Sequence, residues 1–109
     1  MRKPYSDRRI SSLKELKKVI ESLDLDDGVR VLGCIEDLRA GGFIFITTLH
    51  SPTKPSQKYC VNTTERIYDE EAKLFLPGGR EQFLYFSEAE DVIKYIEKNA
   101  AKPIRAWYY

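Results

Sequence analysis

Only two stretches of this chain repeat with the period of a helix, against five that read as strands, and that imbalance limits what the chain can build. Ser12-Leu13-Lys14-Glu15 has the S-x-x-E spacing in which a hydroxyl and a carboxylate satisfy free backbone donors in the first turn of a helix. Leu13, Leu16, Val19, Ile20 and Leu23 follow at three- and four-residue steps as one apolar stripe, which ends before Asp26-Asp27-Gly28. A second S-x-x-E, Ser87 to Glu90, opens a stripe of Ala89, Val92, Ile93, Ile96 and Ala100 that Pro103 stops.

Between and after these helices the period is two. Val29, Val31, Gly33 and Ile35 alternate with Arg30, Leu32, Cys34 and Glu36, and the connection through Gly41-Gly42 closes a hairpin at residues free to take positive φ. Phe43-Ile44-Phe45-Ile46-Thr47-Thr48-Leu49 is β-branched and aromatic throughout, the composition of a central strand. His50 to Lys58 is a long loop stiffened by Pro52 and Pro55, and Tyr59 to Tyr68 resumes a strand. Leu74-Phe75-Leu76 and Phe83-Leu84-Tyr85-Phe86 flank Pro77-Gly78-Gly79-Arg80 as a hairpin-like pair, and Ile104 to Tyr108 is a final strand.

A sheet of five strands spaced about 4.8 Å apart is roughly 19 Å wide, and a helix with its side chains is about 10 Å across, so two helices cover one face only. The predicted class is α+β in the order α-β-β-β-β-α-β. It has a mostly antiparallel sheet of about five strands with two helices on one face, forming a single domain over 1–109 with residues 1–10 as a flexible basic arm. If Ile44, Ile46, Leu84, Phe86, Ile104, Ala106 and Tyr108 face the helices, alternation sends Phe43, Phe45, Phe83, Tyr85, Trp107 and Tyr109 to the open side, with Arg30, Arg66, Tyr68 and Arg105. Each ring left in water forgoes about 1.5–3 kcal/mol of burial, so a face of this kind implies a partner. The aromatic run Trp107-Tyr108-Tyr109 is expected to add an edge strand to that surface.

Composition narrows the partner. The formal net charge is +1, so no global field draws the chain to polyanions, yet residues 1–18 hold seven Lys and Arg against Asp7 and Glu15. Glu21, Asp24, Asp26 and Asp27 reverse the sign, as do Glu65, Asp69, Glu70 and Glu71. The cysteines, Cys34 and Cys60, form no CxxC and accompany one His, which supports neither zinc nor a disulfide framework and predicts reduced thiols and a cytoplasmic protein. No apolar run reaches the roughly 18 residues of a membrane span, and Met1-Arg2-Lys3 is not followed by a signal-peptide core. Few Gln and Asn beside many Lys, Arg and Glu is a thermophilic balance.

Exposed rings flanked by arginines suit single-stranded DNA or RNA, because bases stack on rings without regard to sequence while Arg and Lys track phosphates. Phe43, Phe45, Tyr85, Trp107 and Tyr109 are the candidate platforms. Arg30, Arg66 and Arg105 are the guanidinium contacts, and Lys54, Lys58 and the arm from Arg2 to Arg9 are outer clamps. The alternative is a homodimer or protein partner on the same aromatic face, since rings and Arg are also enriched in protein interfaces. The layout of a capped helix, "FIFITTL", "EQFLYF", a second capped helix and "PIRAWYY" resembles the ThermoDBP-type single-stranded DNA-binding proteins of hyperthermophilic archaea. The resemblance implies a sheet and helices framing a cleft with an aromatic base and basic sides. Members can carry a C-terminal leucine zipper, and none is present in the sequence up to Tyr109, so zipper-based assembly is not carried over.

No enzyme is expected, and no cofactor or metal. His50 and Ser51 are neighbours on an extended segment and point opposite ways, with no orienting carboxylate. Cys34 and Cys60 read as small strand hydrophobes, Asp69-Glu70-Glu71 as a solvated turn, and neither Gly41-Gly42 nor Pro77-Gly78-Gly79-Arg80 has phosphate-loop spacing.

Overall fold

The computed structural model describes residues 9–10, 12–23, 27–35, 38–49 and 58–108. Ser12 Oγ accepts from the Glu15 backbone N–H at 3.2 Å, starting α1 (Leu13–Glu21), whose Leu16 and Ile20 are wholly buried. The second expected cap does not form. α2 (Ala89–Asn99) is entered through Glu88, which has no side-chain cap bond, and Ser87 lies one residue too early. Glu90 and Asp91 in the first turn complement the helix dipole instead. Ala89, Val92 and Ile96 are its buried stripe.

The strands are β1 (Arg9–Ile10), β2 (Gly28–Leu32), β3 (Phe43–Thr48), β4 (Tyr59–Asp69), β5 (Leu74–Phe86) and β6 (Ala106–Tyr108). They form one antiparallel sheet in the order β1-β6-β2-β3-β4-β5. The α-β-β-β-β-α-β order therefore stands, with a two-residue strand added ahead of it. The end of the expected basic arm is part of the sheet: Arg9 pairs with Trp107 and Ile10 with Ala106, and Ile10 is fully buried. β6 is consequently not an edge strand, because β1 lies outside it.

The helix side of the sheet carries the core. Val29 and Val31 oppose Ile46 and Ile44, which oppose Val61 and Thr63 in turn, and Ala106 pairs with Val31. The apolar members of this set and the buried side chains of α1 and α2 form one cluster, each large member contributing about 1.5–3 kcal/mol by leaving water. No helix among the described residues is long and apolar enough to cross a membrane.

The expected hairpin across Pro77-Gly78-Gly79-Arg80 is a bulge inside β5. The pairing jumps from Thr64↔Glu81 to Glu65↔Gly78, leaving Gly79 and Arg80 unpaired, and the real hairpin turn is Glu70–Lys73, between β4 and β5. Asp69 Oδ1 shapes that turn by accepting from the backbone N–H groups of Glu71 and Ala72 at 2.9 and 3.3 Å. Gly79 has φ +70, and a Cβ there would sit 2.6 Å from Glu65 Oε1.

Candidate functional site

On the open side, register brings the expected residues into one field. Arg30 opposes Phe45 and Trp107, Phe43 opposes Thr64, Asn62 opposes Phe83, and Cys60 opposes Tyr85. Arg105 lies two residues before Trp107 on the same side, exposed, with its carbonyl accepting from Leu32 N–H at 3.1 Å.

Within this field the rings and guanidiniums alternate across five strands. Arg30 Cζ stands 5.3 Å from the Trp107 ring centre and 5.6 Å from that of Phe43. Arg66 Cζ stands 5.9 Å from Phe43 and 5.4 Å from Phe75, and Phe75 meets Tyr68 edge-on at 5.3 Å. Each guanidinium is thus shared between two ring faces, an arrangement worth about 0.5–1 kcal/mol per contact where exposed. Phe43 and Phe45 are tilted neighbours at 5.9 Å.

Two side chains occupy different roles from those expected. Phe43 is 5% exposed, roofed by Arg30 and Arg66, so it supports the arginines and offers no platform of its own. Lys58 extends over the Tyr59 ring at 5.4 Å and lines a polar notch of about 510 Å³ beside Lys17 and Glu90, on the helix side. Lys54, Tyr109 and Arg2 to Arg8 lie outside the described residues, as does His50. Three exposed rings were absent from the expected site: Tyr68, Phe75 and Phe83. Tyr68 and Phe83 fall on this face by alternation alone, whereas Phe75 requires knowing that β5 pairs with β4.

Arginines dominate the charge of the field, where register also places one exposed carboxylate, Glu81, opposite Thr64. Among the described residues neither Arg30 nor Arg66 has a carboxylate partner, and Arg30 Nε makes no hydrogen bond at all. Arg66 Nε donates to the Ala40 carbonyl in the tight turn Arg39–Gly41. That turn is fixed from the other side of the sheet by Glu65, 2% exposed, whose carboxylate accepts from Arg39 N–H at 3.1 Å, Arg39 Nε at 2.8 Å and Arg80 N–H at 2.7 Å. The Arg39 side chain first, then the Arg80 and Arg39 backbone donors, lower the Glu65 pKa to about 2, against the opposing effect of burial. Consecutive residues Glu65 and Arg66 therefore clamp consecutive residues Arg39 and Ala40 from opposite faces.

Cys60 sits under this field, buried, with its thiol pKa raised by desolvation, while Cys34 is exposed. Among the described residues no group of His, Cys, Asp and Glu is placed to hold a metal ion. No protein-family model, no curated protein and no solved structure matches this chain.

Proposed function

We propose that the protein binds single-stranded DNA or RNA across the open face of its sheet. The observation that carries this reading is the ladder Trp107–Arg30–Phe43–Arg66–Phe75, in which each of two guanidiniums lies over two rings and, among the described residues, pairs with no carboxylate. A guanidinium plane is itself a stacking surface for a base, and its charge is available to a phosphate. Phe83 and Tyr85, 54% and 47% exposed, extend the field toward the β5 edge. Being two residues apart on one strand, they are spaced by about 6.7 Å, twice the 3.4 Å rise of stacked bases, which leaves room for a base between them.

A face-to-face homodimer on this surface is disfavoured by the same charges. Stacking two copies would bring uncompensated Arg30 and Arg66 toward their counterparts in a drying interface, where like charges repel more strongly than in water. Nucleic acid supplies the missing anions.

The test is titration of the protein with an unlabelled oligo-thymidine while following the fluorescence of Trp107, the sole tryptophan. Stacking is expected to quench it saturably. Emission that stays constant through saturating oligonucleotide contradicts the placement of bases on this face.

A further inference from the structure

Among the described residues, the distal part of the β4–β5 hairpin projects past the third strand of the sheet. Among the described residues β3 ends at Phe43, opposite Thr64, and the Arg39–Gly41 turn is held at Glu65 and Arg66, so from Ile67 to Asp69 β5 is the only strand beside β4, over a length of about 7 Å. A two-stranded ribbon without a helix or third strand is marginal in water. Both its sides are apolar. Tyr68 and Phe75 continue the open face, while Ile67, Leu74 and Leu76 form a ridge on the other side, 43%, 47% and 39% exposed. The three ridge side chains offer no charge, ring or hydrogen-bonding group to a nucleotide, and the group bordering them at Leu74 is the Asp69 carboxylate, which a phosphate would avoid.

We infer that the ridge is a dimerisation surface, and that its partner is the same ridge on a second copy of this chain, packed antiparallel about a two-fold axis near Ile67 and Leu76. The charge pattern favours this occupant. The base of the arm carries the Arg39 and Arg80 side chains, 74% and 64% exposed, which share the single carboxylate of Glu65. The tip carries Asp69, Glu70 and Glu71 against Lys73. Antiparallel packing sets each acidic tip over the other copy's arginine base, so one arrangement satisfies the apolar ridge and both charged ends. The open face stays free on the outside of both copies. Three apolar side chains are few beside the roughly 20–30 residues a side of a standard interface, so the association is weak.

Sedimentation velocity of the full chain over a concentration series up to about a millimolar tests this, with Leu76→Glu, Glu70→Lys/Glu71→Lys and, as an open-face control, Phe83→Ser. The wild type is expected to pass from monomer to dimer, with association weakened at least about tenfold in the first two variants and unchanged in the third. Circular dichroism reports whether Leu76→Glu keeps its fold, and the charge-reversal pair sits in an exposed turn. A wild type that stays monomeric throughout overturns the inference. So does either of the first two variants dimerising as tightly as wild type, or loss of the dimer in Phe83→Ser.

Discussion

The Arg30 guanidinium carbon lies 5.3 Å from the centre of the Trp107 indole, and the two residues are direct partners across β2 and β6. Cross-strand register, rather than sequence proximity, makes this pair. Removing the indole takes away a stacking surface and loosens the cation beside it. Trp107→Ala is expected to weaken single-strand binding by about 1–3 kcal/mol, measured by fluorescence anisotropy, with the thermal transition still cooperative.

Arg30→Lys separates charge from shape. Lysine keeps the positive charge but loses the plane that lies between two rings, so affinity is expected to fall by about 0.5–2 kcal/mol with an unchanged salt slope. Arg30→Ala should lose affinity and also flatten the slope by about 0.7. Equal salt slopes for the wild type and the alanine variant would show that Arg30 meets no phosphate.

Glu65 makes stability pH-dependent in a definite window. Its folded pKa of about 2 is below the 4.5 of an ordinary glutamate, so the unfolded chain takes up the proton first as pH falls. The stabilisation is complete above about pH 4.5 and is lost as pH drops toward 2. Glu65→Gln is expected to lower the melting temperature at pH 7 and to make the decline between pH 4.5 and 2 shallower than in wild type. Parallel acid limbs for the two proteins would contradict the assignment.

The two S-x-x-E sites should respond differently to the same change. Ser12→Ala removes a formed cap and is expected to cost about 0.5–2 kcal/mol in urea unfolding. Ser87 caps nothing, so Ser87→Ala should fall within about 0.5 kcal/mol of wild type.

The cysteines offer a simple check on depth. Cys34 is exposed, and Cys60 is buried with a raised pKa, so a thiol reagent at pH 8 is expected to label one sulfur rapidly and the other only after unfolding. Two fast thiols would mean that the open face is looser than described.

Side and depth differ in how far the sequence discloses them. The alternation in Phe43–Ile46 and in Arg105–Tyr108 assigns a side to each residue, because a strand has period two whatever it packs against. Burial depends on neighbours from other strands, which is why Phe43 reads as an exposed platform until Arg30 and Arg66 are seen above it. Pro77-Gly78-Gly79-Arg80 has the chemistry of a turn because a bulge uses the same positive-φ glycine, here at Gly79. What decides between them is the Glu65 carboxylate on the facing strand, accepting from Arg80 N–H. Ser87 shows the same limit at smaller scale: the spacing is right, but the chain leaving β5 at Phe86 enters the helix one residue later.

Strand binding by the open face is read by the anisotropy of a labelled single-stranded oligonucleotide titrated with the wild-type chain across a salt series. Binding is predicted with a log–log salt slope of about −0.7 for each phosphate neutralised, a slope near −1.4 reporting Arg30 and Arg66 together. Absence of binding at low salt, or affinity indifferent to salt, would contradict an open face built to hold a nucleic-acid strand.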